Sequence, residues 1–238
     1  MNLKNRVSLS FDRGTVLLDI PVHFDHQSLF SPLKLAYDRR VSRYRCDAFH
    51  YADLIRILDQ KQIPYENTIP RWCSVSPSKN TLPGLRPEQK AAIEAWMTDK
   101  RGCIIMPTGS GKTVVALKIF EMLGISTLVV APVRDLMYQW HQRIYSHFGI
   151  DAGIIGDNTF DLRPVSCTTY HSAFIHMDKL GDKFGLIVFD ECHHLPGVSR
   201  REAALMSAAP YRIGLTATME RSDSLEKDLP SLIGPVQY

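Results

Sequence analysis

The 238-residue chain lacks most features of secreted, membrane-spanning or metal-stapled proteins. No apolar run reaches the roughly 18 residues a spanning helix needs. The first residues contain no continuous apolar stretch of the kind a secretion signal requires. Cysteine is scarce and scattered: Cys46, Cys73, Cys103, Cys167 and Cys192 are odd in number and never spaced C-x-x-C. That argues against a disulfide framework or a structural zinc, and for reduced thiols in a cytoplasmic setting, nuclear if the source is eukaryotic. No internal repeat or low-complexity tract is present. Net charge is only +3, but it is unevenly placed. Residues 1–80 hold twelve Lys/Arg against eight Asp/Glu, and the remainder holds sixteen against seventeen. A basic excess in the first third hints at an anionic partner there.

What is present is an ordinary globular composition, 45% hydrophobic and 22% charged. A chain of this length can bury about 70% of its unfolded surface without staples. Two pieces are visible. Residues 1–68 read as a small α+β domain: two short strands around a turn at Asp12-Arg13-Gly14, then a helix in "CDAFHYADLIRILDQKQ" with Asp47 as N-cap and Ala48, Tyr51, Leu54, Ile55 and Leu58 on its apolar face. Residues 69–84, rich in Pro, Ser and Asn, read as a linker.

From Leu85 to Tyr238 short apolar runs alternate with helical segments. The runs at 103–106, 126–131, 152–156, 165–169, 186–189 and 212–217 are β-branched and apolar on both faces. Such runs predict parallel strands covered on both sides. Helices are expected at 112–123, 133–147, 171–178 and 199–208. The alternation predicts an α/β open sheet, whose ligands bind off the carboxyl ends of the strands.

Two strand ends carry the chemistry. After "CIIM" comes "PTGSGKT" and then an apolar helix closed by Gly124. Gly109 and Gly111 allow a tight loop whose N–H groups face phosphate at a helix N-terminus. Lys112 supplies a point charge for the β/γ-phosphates, and the Thr113 hydroxyl is placed for Mg²⁺. The phosphate-loop consensus wants Gly at position 106, where this chain has Met106. The second end is "LIVFDECHH". An ionised Asp190 at the tip of a buried strand needs a cation, and Mg²⁺ bound to ATP would serve. Glu191, pointing elsewhere, could orient and deprotonate a water. Cys192, His193 and His194 are contiguous and lack the spaced pairs of a zinc site. His194 reads as a structural histidine, and Cys192, Cys103 and Cys167 as inert buried thiols.

"MPTGSGKT", "DECH" and "GLTAT", in that order, resemble motifs I, II and III of superfamily 2 helicases, and most closely the xeroderma pigmentosum group B (XPB) family. "LRPEQKAAIEAW", "VVAPVRDLMYQW" and "VFDECHHLPG" extend the similarity, which is strongest from Leu85 to Thr218. The resemblance implies a RecA-like P-loop domain in an ATP-driven 3′–5′ DNA helicase or translocase of repair or strand opening. It implies ATP and Mg²⁺ as cofactors. DNA, single-stranded, forked or damaged, would be a partner, and a repair nuclease another. The catalytic set would be Lys112, Asp190 and Glu191, with Thr113 and Asp190 on the metal. Arg86, Gln89, Thr108, Gly109, Ser110, Gly111, Lys112 and Thr113 would hold the nucleotide. His193, Thr216 and Thr218 would couple it to movement. Arg134 and Thr169 would face DNA, although capping of a strand end explains Thr169 equally well. Packing is the simpler reading of Gln139 and Trp140.

The first 68 residues resemble the damage-recognition domain of archaeal relatives. In "YDRRVSRYR", Arg39, Arg40, Arg43 and Arg45 alternate with tyrosines, as DNA contacts or as a solvated basic face. The positions Arg221-Ser222-Asp223 depart from the Arg-Glu-Asp often found after motif III, which puts a strand-separating role for that segment in doubt. The second RecA-like domain of such motors has no counterpart here. The chain is therefore expected to be the N-terminal part of a longer helicase, with little turnover alone. Two other readings stay open: the motor of another superfamily 2 translocase, such as a restriction-system subunit, and a non-catalytic DNA-binding module on the same scaffold.

Overall fold

The structure is a computed structural model and describes residues 6–31, 33–197, 199–218 and 225–238. The Arg221-Ser222-Asp223 segment lies outside these residues.

The N-terminal sheet is built from β1 (Val7–Asp12), β2 (Thr15–Asp19), β3 (Ala36–Asp38), β4 (Arg43–Asp47) and β5 (Tyr65–Asn67), in the order β3-β4-β2-β1-β5. β1 and β2 pair antiparallel around the Arg13-Gly14 turn, where both residues have positive φ. "YDRRVSRYR" forms the β3–β4 hairpin, with Tyr37 opposite Tyr44 and Asp38 opposite Arg43. A single turn, α1 (His26–Leu29), precedes it. The helix expected from Asp47 begins later, as α2 (Tyr51–Gln60). Asp47 precedes a 3-10 turn at Ala48–His50 and makes no side-chain capping bond, because its backbone is still paired to β2. Tyr51, Leu54 and Leu58, spaced for one helix face, are buried against Val7, Leu9, Val16 and Leu18.

The larger sheet follows α3 (Pro87–Asp99). It consists of β6 (Arg101–Ile105), α4 (Lys112–Leu123), β7 (Thr127–Ala131), α5 (Arg134–Phe148), β8 (Gly153–Gly156), β9 (Thr159–Phe160), β10 (Val165–Thr169), α6 (Tyr170–Leu180), β11 (Leu186–Asp190), α7 (Glu202–Leu205), β12 (Tyr211–Thr216) and α8 (Leu229–Leu232). Its strand order is β6-β12-β11-β7-β10-β8-β9, parallel except for the short β8–β9 pair. The apolar runs are buried on both faces, as their composition requires. Val129 and Val188 pack on one side with α3, α4 and α5, while Leu128, Val130, Ile187 and Phe189 pack on the other with α6, α7 and α8. Residues 235–238 lie along the outer edge of β6: Gln237 N–H donates to Cys103 O at 2.8 Å, and Cys103 N–H to Pro235 O at 2.9 Å. The helix expected at 199–208 is only α7. Its chain is drawn off by Ala208 N–H, which bonds Gly181 O at 2.8 Å.

The segment after β5 runs across the larger sheet in backbone contact. Ser126 N–H donates to Cys73 O at 2.8 Å, and Val75 N–H to Gly124 O at 2.8 Å. The Phe49 ring lies against two guanidinium groups of the larger sheet, Arg101 at 4.7 Å and Arg212 at 4.6 Å from its centroid. Arg212 is fully buried, and its N–H groups donate to Ala204, Ser207, Ala209 and Leu232 carbonyls. Burial pushes its pKa well down. No described helix is long and apolar enough to cross a membrane.

Candidate functional site

The strand order decides where the chemistry goes. β12 inserts between β6 and β11, and all three run parallel, so their carboxyl ends emerge side by side. The loop after β6 and the tip of β11, almost eighty residues apart, thereby line one cleft of about 470 Å³. Thr108, Gly109, Gly111, Lys112, Thr113, Asp190 and Glu191 all face it.

The loop is held by its glycines and by α3. Gly109 (φ 77°) and Gly111 (φ 84°) lie in the left-handed region, where a side chain would be strained. A Cβ on Gly111 would also strike the Gln89 amide. Around Gly109 the space is open. Met106 needs no glycine freedom: it lies outside the positive-φ residues, and its side chain is buried in the core beneath α4. Its carbonyl accepts from Lys112 Nζ at 3.0 Å, with Pro107 O at 3.4 Å. Gln89, buried, donates Nε2–H to Ser110 O at 2.9 Å and accepts the Arg86 N–H at 2.9 Å. The Arg86 guanidinium also bonds Ser110 O, and it pairs with Glu88 at 3.1 Å. The expected nucleotide residues Arg86, Gln89 and Ser110 are thus one bonded group.

At the β11 tip, Asp190 Oδ2 accepts the Trp140 indole N–H at 2.7 Å, and Oδ1 accepts the Glu191 backbone N–H at 3.1 Å. Burial pushes its pKa up; Trp140, the Glu191 N–H, Lys112 and Arg143 oppose that without cancelling it. Glu191 itself has φ 46°, a left-handed kink at a non-glycine residue. The kink turns it away from the strand direction, with Oε2 3.4 Å from His193 Nδ1. His193 Nδ1 meets Thr216 Oγ1 at 2.9 Å, and Thr216 Oγ1 donates to Thr218 O at 2.6 Å. His193, Thr216 and Thr218 therefore form a chain leading from Glu191. The His194 ring lies tilted against that of His193, with centroids 4.1 Å apart. Cys192 is buried beside Cys103, and that contact together with burial pushes its thiol pKa well up.

The residues brought together suit a magnesium nucleotide. A threonine hydroxyl and a carboxylate are the hard oxygen donors Mg²⁺ accepts. An open glycine backbone at a helix N-terminus, beside Lys112, suits phosphate.

One side of the cleft was not foreseen. Leu136, Gln139, Trp140, Arg143 and His147 form a stripe along α5 that faces it. Trp140 is buried, as packing predicts, but it also holds Asp190. Arg143 Nη1–H donates to Thr113 Oγ1 at 2.7 Å. Helical spacing from Trp140 was the available signal.

The residues expected to face DNA fall in two other places. Arg134 and Thr169 share a cleft of about 430 Å³ at the N-termini of α5 and α6. Arg134 pairs with Asp157 at 2.7 Å, and Thr169 Oγ1 caps α6 by accepting the Ser172 N–H at 3.2 Å. In the β3–β4 hairpin, Arg40 pairs with Asp38 at 2.9 Å. Arg45 pairs with Asp12 at 2.9 Å and Asp38 at 3.2 Å, and Arg43 lies 3.9 Å from Asp19. Arg39 is exposed at the hairpin turn.

Residues 83–221 match the family described as "Type III restriction enzyme, res subunit". Residues 9–69 match the family described as "Xeroderma pigmentosum group B helicase damage recognition domain". The chain is 40% identical over 204 residues to the "DNA 3'-5' translocase XPB2" of Sulfurisphaera tokodaii, covering 86% of this chain and 46% of that protein. It is 32% identical over 166 residues to the "DNA 3'-5' helicase XPB" of Mycobacterium tuberculosis, covering 65% of this chain and 30% of that one. The chain thus spans less than half the length of these curated relatives. Among solved structures, the SWI2/SNF2 ATPase core of Sulfolobus solfataricus in complex with dsDNA superposes with a TM-score of 0.55 at 20% identity, over 67% of this chain and 38% of that one. The UvsW helicase of bacteriophage T4 superposes with a TM-score of 0.55 at 14% identity, over 97% of this chain and 99% of that one. The larger sheet accordingly has the RecA-like fold of these cores. The match at 83–221 covers more than half of the chain, which belongs to that family, and together with the match at 9–69 and these relatives it places the chain with the XPB-type superfamily 2 helicases.

Proposed function

We propose that this chain binds Mg-ATP in the cleft between Lys112 and Asp190 and forms the first RecA-like half of a 3′–5′ DNA translocase or helicase. The observation that carries this is the meeting of the phosphate loop and the acidic strand tip in one cleft. Lys112 and the loop N–H groups would hold the β- and γ-phosphates, and Arg86 and Gln89 the base. Thr113 and Asp190 would hold the metal, which when bound neutralises charge across the transferred phosphate. Glu191, turned out of the strand by its φ of 46°, would orient the attacking water and take its proton. The chain from Glu191 through His193 to Thr216 and Thr218 would carry the state of the nucleotide to a second RecA-like domain. That partner would add an arginine to the transferred phosphate, a contribution of about 10³–10⁵ in turnover. DNA would run over Arg134 and Thr169, at the ends of β7 and β10. The N-terminal sheet would read the DNA ahead of the motor.

The test is DNA-stimulated ATP hydrolysis with a second RecA-like domain joined to the chain. Glu191→Gln should leave nucleotide binding near wild type and cut hydrolysis by about 10²–10⁴-fold. Hydrolysis that survives the substitution removes Glu191 as the base.

A further inference from the structure

We propose that Arg143 is a built-in counter-cation of the nucleotide site, which Mg²⁺ must displace from Thr113 when Mg-nucleotide binds. This deepens the function proposed above and rests on it. Arg143 and Trp140 lie one turn apart on α5 and reach the two groups best placed to hold the metal. Trp140 donates to Asp190 at 2.7 Å, and Arg143 donates to Thr113 Oγ1 at 2.7 Å. A hydroxyl has two acceptor lone pairs and one proton. The lone pair that accepts from Arg143 is the kind a cation would take, and two cations on one oxygen repel.

Arg143 is exposed and forms no ion pair with a described carboxylate, so it is tied to the site by a single contact. Leaving Thr113 costs little, because exposed polar contacts of this kind are weak. Two consequences of opposite sign follow. With Mg²⁺ present, Arg143 competes for Thr113 and raises the metal concentration required. With Mg²⁺ removed, it supplies positive charge to the phosphates and supports binding.

The experiment measures binding of a fluorescent N-methylanthraniloyl ATP to the full chain over a Mg²⁺ series and in EDTA. It compares wild type, Arg143→Lys and Arg143→Met, with circular dichroism to confirm folding. For Arg143→Met the Mg²⁺ concentration at half-maximal binding should fall about two- to fivefold, while affinity in EDTA falls by a similar factor. Arg143→Lys should lie between. Affinity that falls both with and without Mg²⁺ would make Arg143 a plain phosphate ligand and overturn the proposal. So would binding that ignores the substitution under both conditions. Nucleotide binding lost on Lys112→Ala but indifferent to Arg143→Met would leave the function proposed above standing and remove only this refinement. Wild type that binds no nucleotide would sink both.

Discussion

Among the described residues, the basic side chains of the hairpin and those of the cleft are treated in opposite ways. In the β3–β4 hairpin each of Arg40, Arg43 and Arg45 has an aspartate within 4 Å, so the charge is largely cancelled where it stands. In the cleft, Lys112 donates to carbonyls of Met106 and Pro107, and Arg143 to a hydroxyl. Neutral acceptors orient a cation without neutralising it. The acids report the same contrast. The Arg40 guanidinium, bonded to Asp38, pulls that carboxyl down to about 2. Asp190, half-buried and bonded to N–H groups, is pushed up instead, burial being the larger influence. Positive charge available to an anion is therefore a property of the partners, not of the number of arginines in a run.

The largest effect that could break this comparison is at Lys112. Lys112→Ala should weaken Mg-ATP binding about 10- to 100-fold, the size of a lost charge-assisted bond. Isothermal titration would read it. Alanine at Arg40 or Arg43 should leave the same titration unmoved, and a comparable loss there would erase the distinction between the clusters.

Next is Trp140→Phe, which keeps an aromatic ring in the core and removes the donor to Asp190 Oδ2. A part-buried carboxylate left short of a donor should cost about 1–3 kcal/mol in urea unfolding at neutral pH. The sign with pH follows from the raised pKa of Asp190. A raised acid contributes stability that is fully present below its ordinary value of 3.8 and is lost as pH rises through the folded value. The penalty of Trp140→Phe should therefore shrink as pH falls through that value. A pH-independent penalty would mean the indole acts by packing alone.

Much of this was legible because the larger sheet is written in local patterns. Runs such as 165–169 and the helix at 112–123 coincide with β10 and α4, since β-branched runs and capped apolar helices need little help from tertiary context. The two acidic and basic motifs were legible as chemistry. Their meeting was expected from a shared need for Mg²⁺ and from the family resemblance, but the insertion of β12 between β6 and β11 that brings it about is a long-range pairing with no local trace. Arg143 was missed because it belongs to no loop: it faces the cleft only through the angle at which α5 packs. The pairing of the hairpin arginines was hidden for a different reason. Asp12, which holds Arg45, lies 33 residues away in sequence, so a local count of charge could not include it.

The smallest effect sharpens the contrast most. Asp38 accepts from Arg40 at both oxygens and lies 3.2 Å from Arg45. Because its pKa is depressed to about 2, its contribution to stability is present above pH 3.8 and is lost only as pH falls from there towards 2. At any working pH the pairing is intact, and the hairpin presents little free charge beyond Arg39. Asp38→Asn should release Arg40 while Arg45 keeps Asp12. If the hairpin meets DNA, affinity in fluorescence anisotropy at low salt should then rise about two- to fivefold, and the slope of log affinity against log salt should steepen by about one unit, as for one added phosphate contact. Arg39→Ala should move both in the opposite direction. An Asp38→Asn protein with unchanged affinity and slope would mean the hairpin does not touch the phosphate backbone, and any recognition by the N-terminal sheet would have to come from another of its faces.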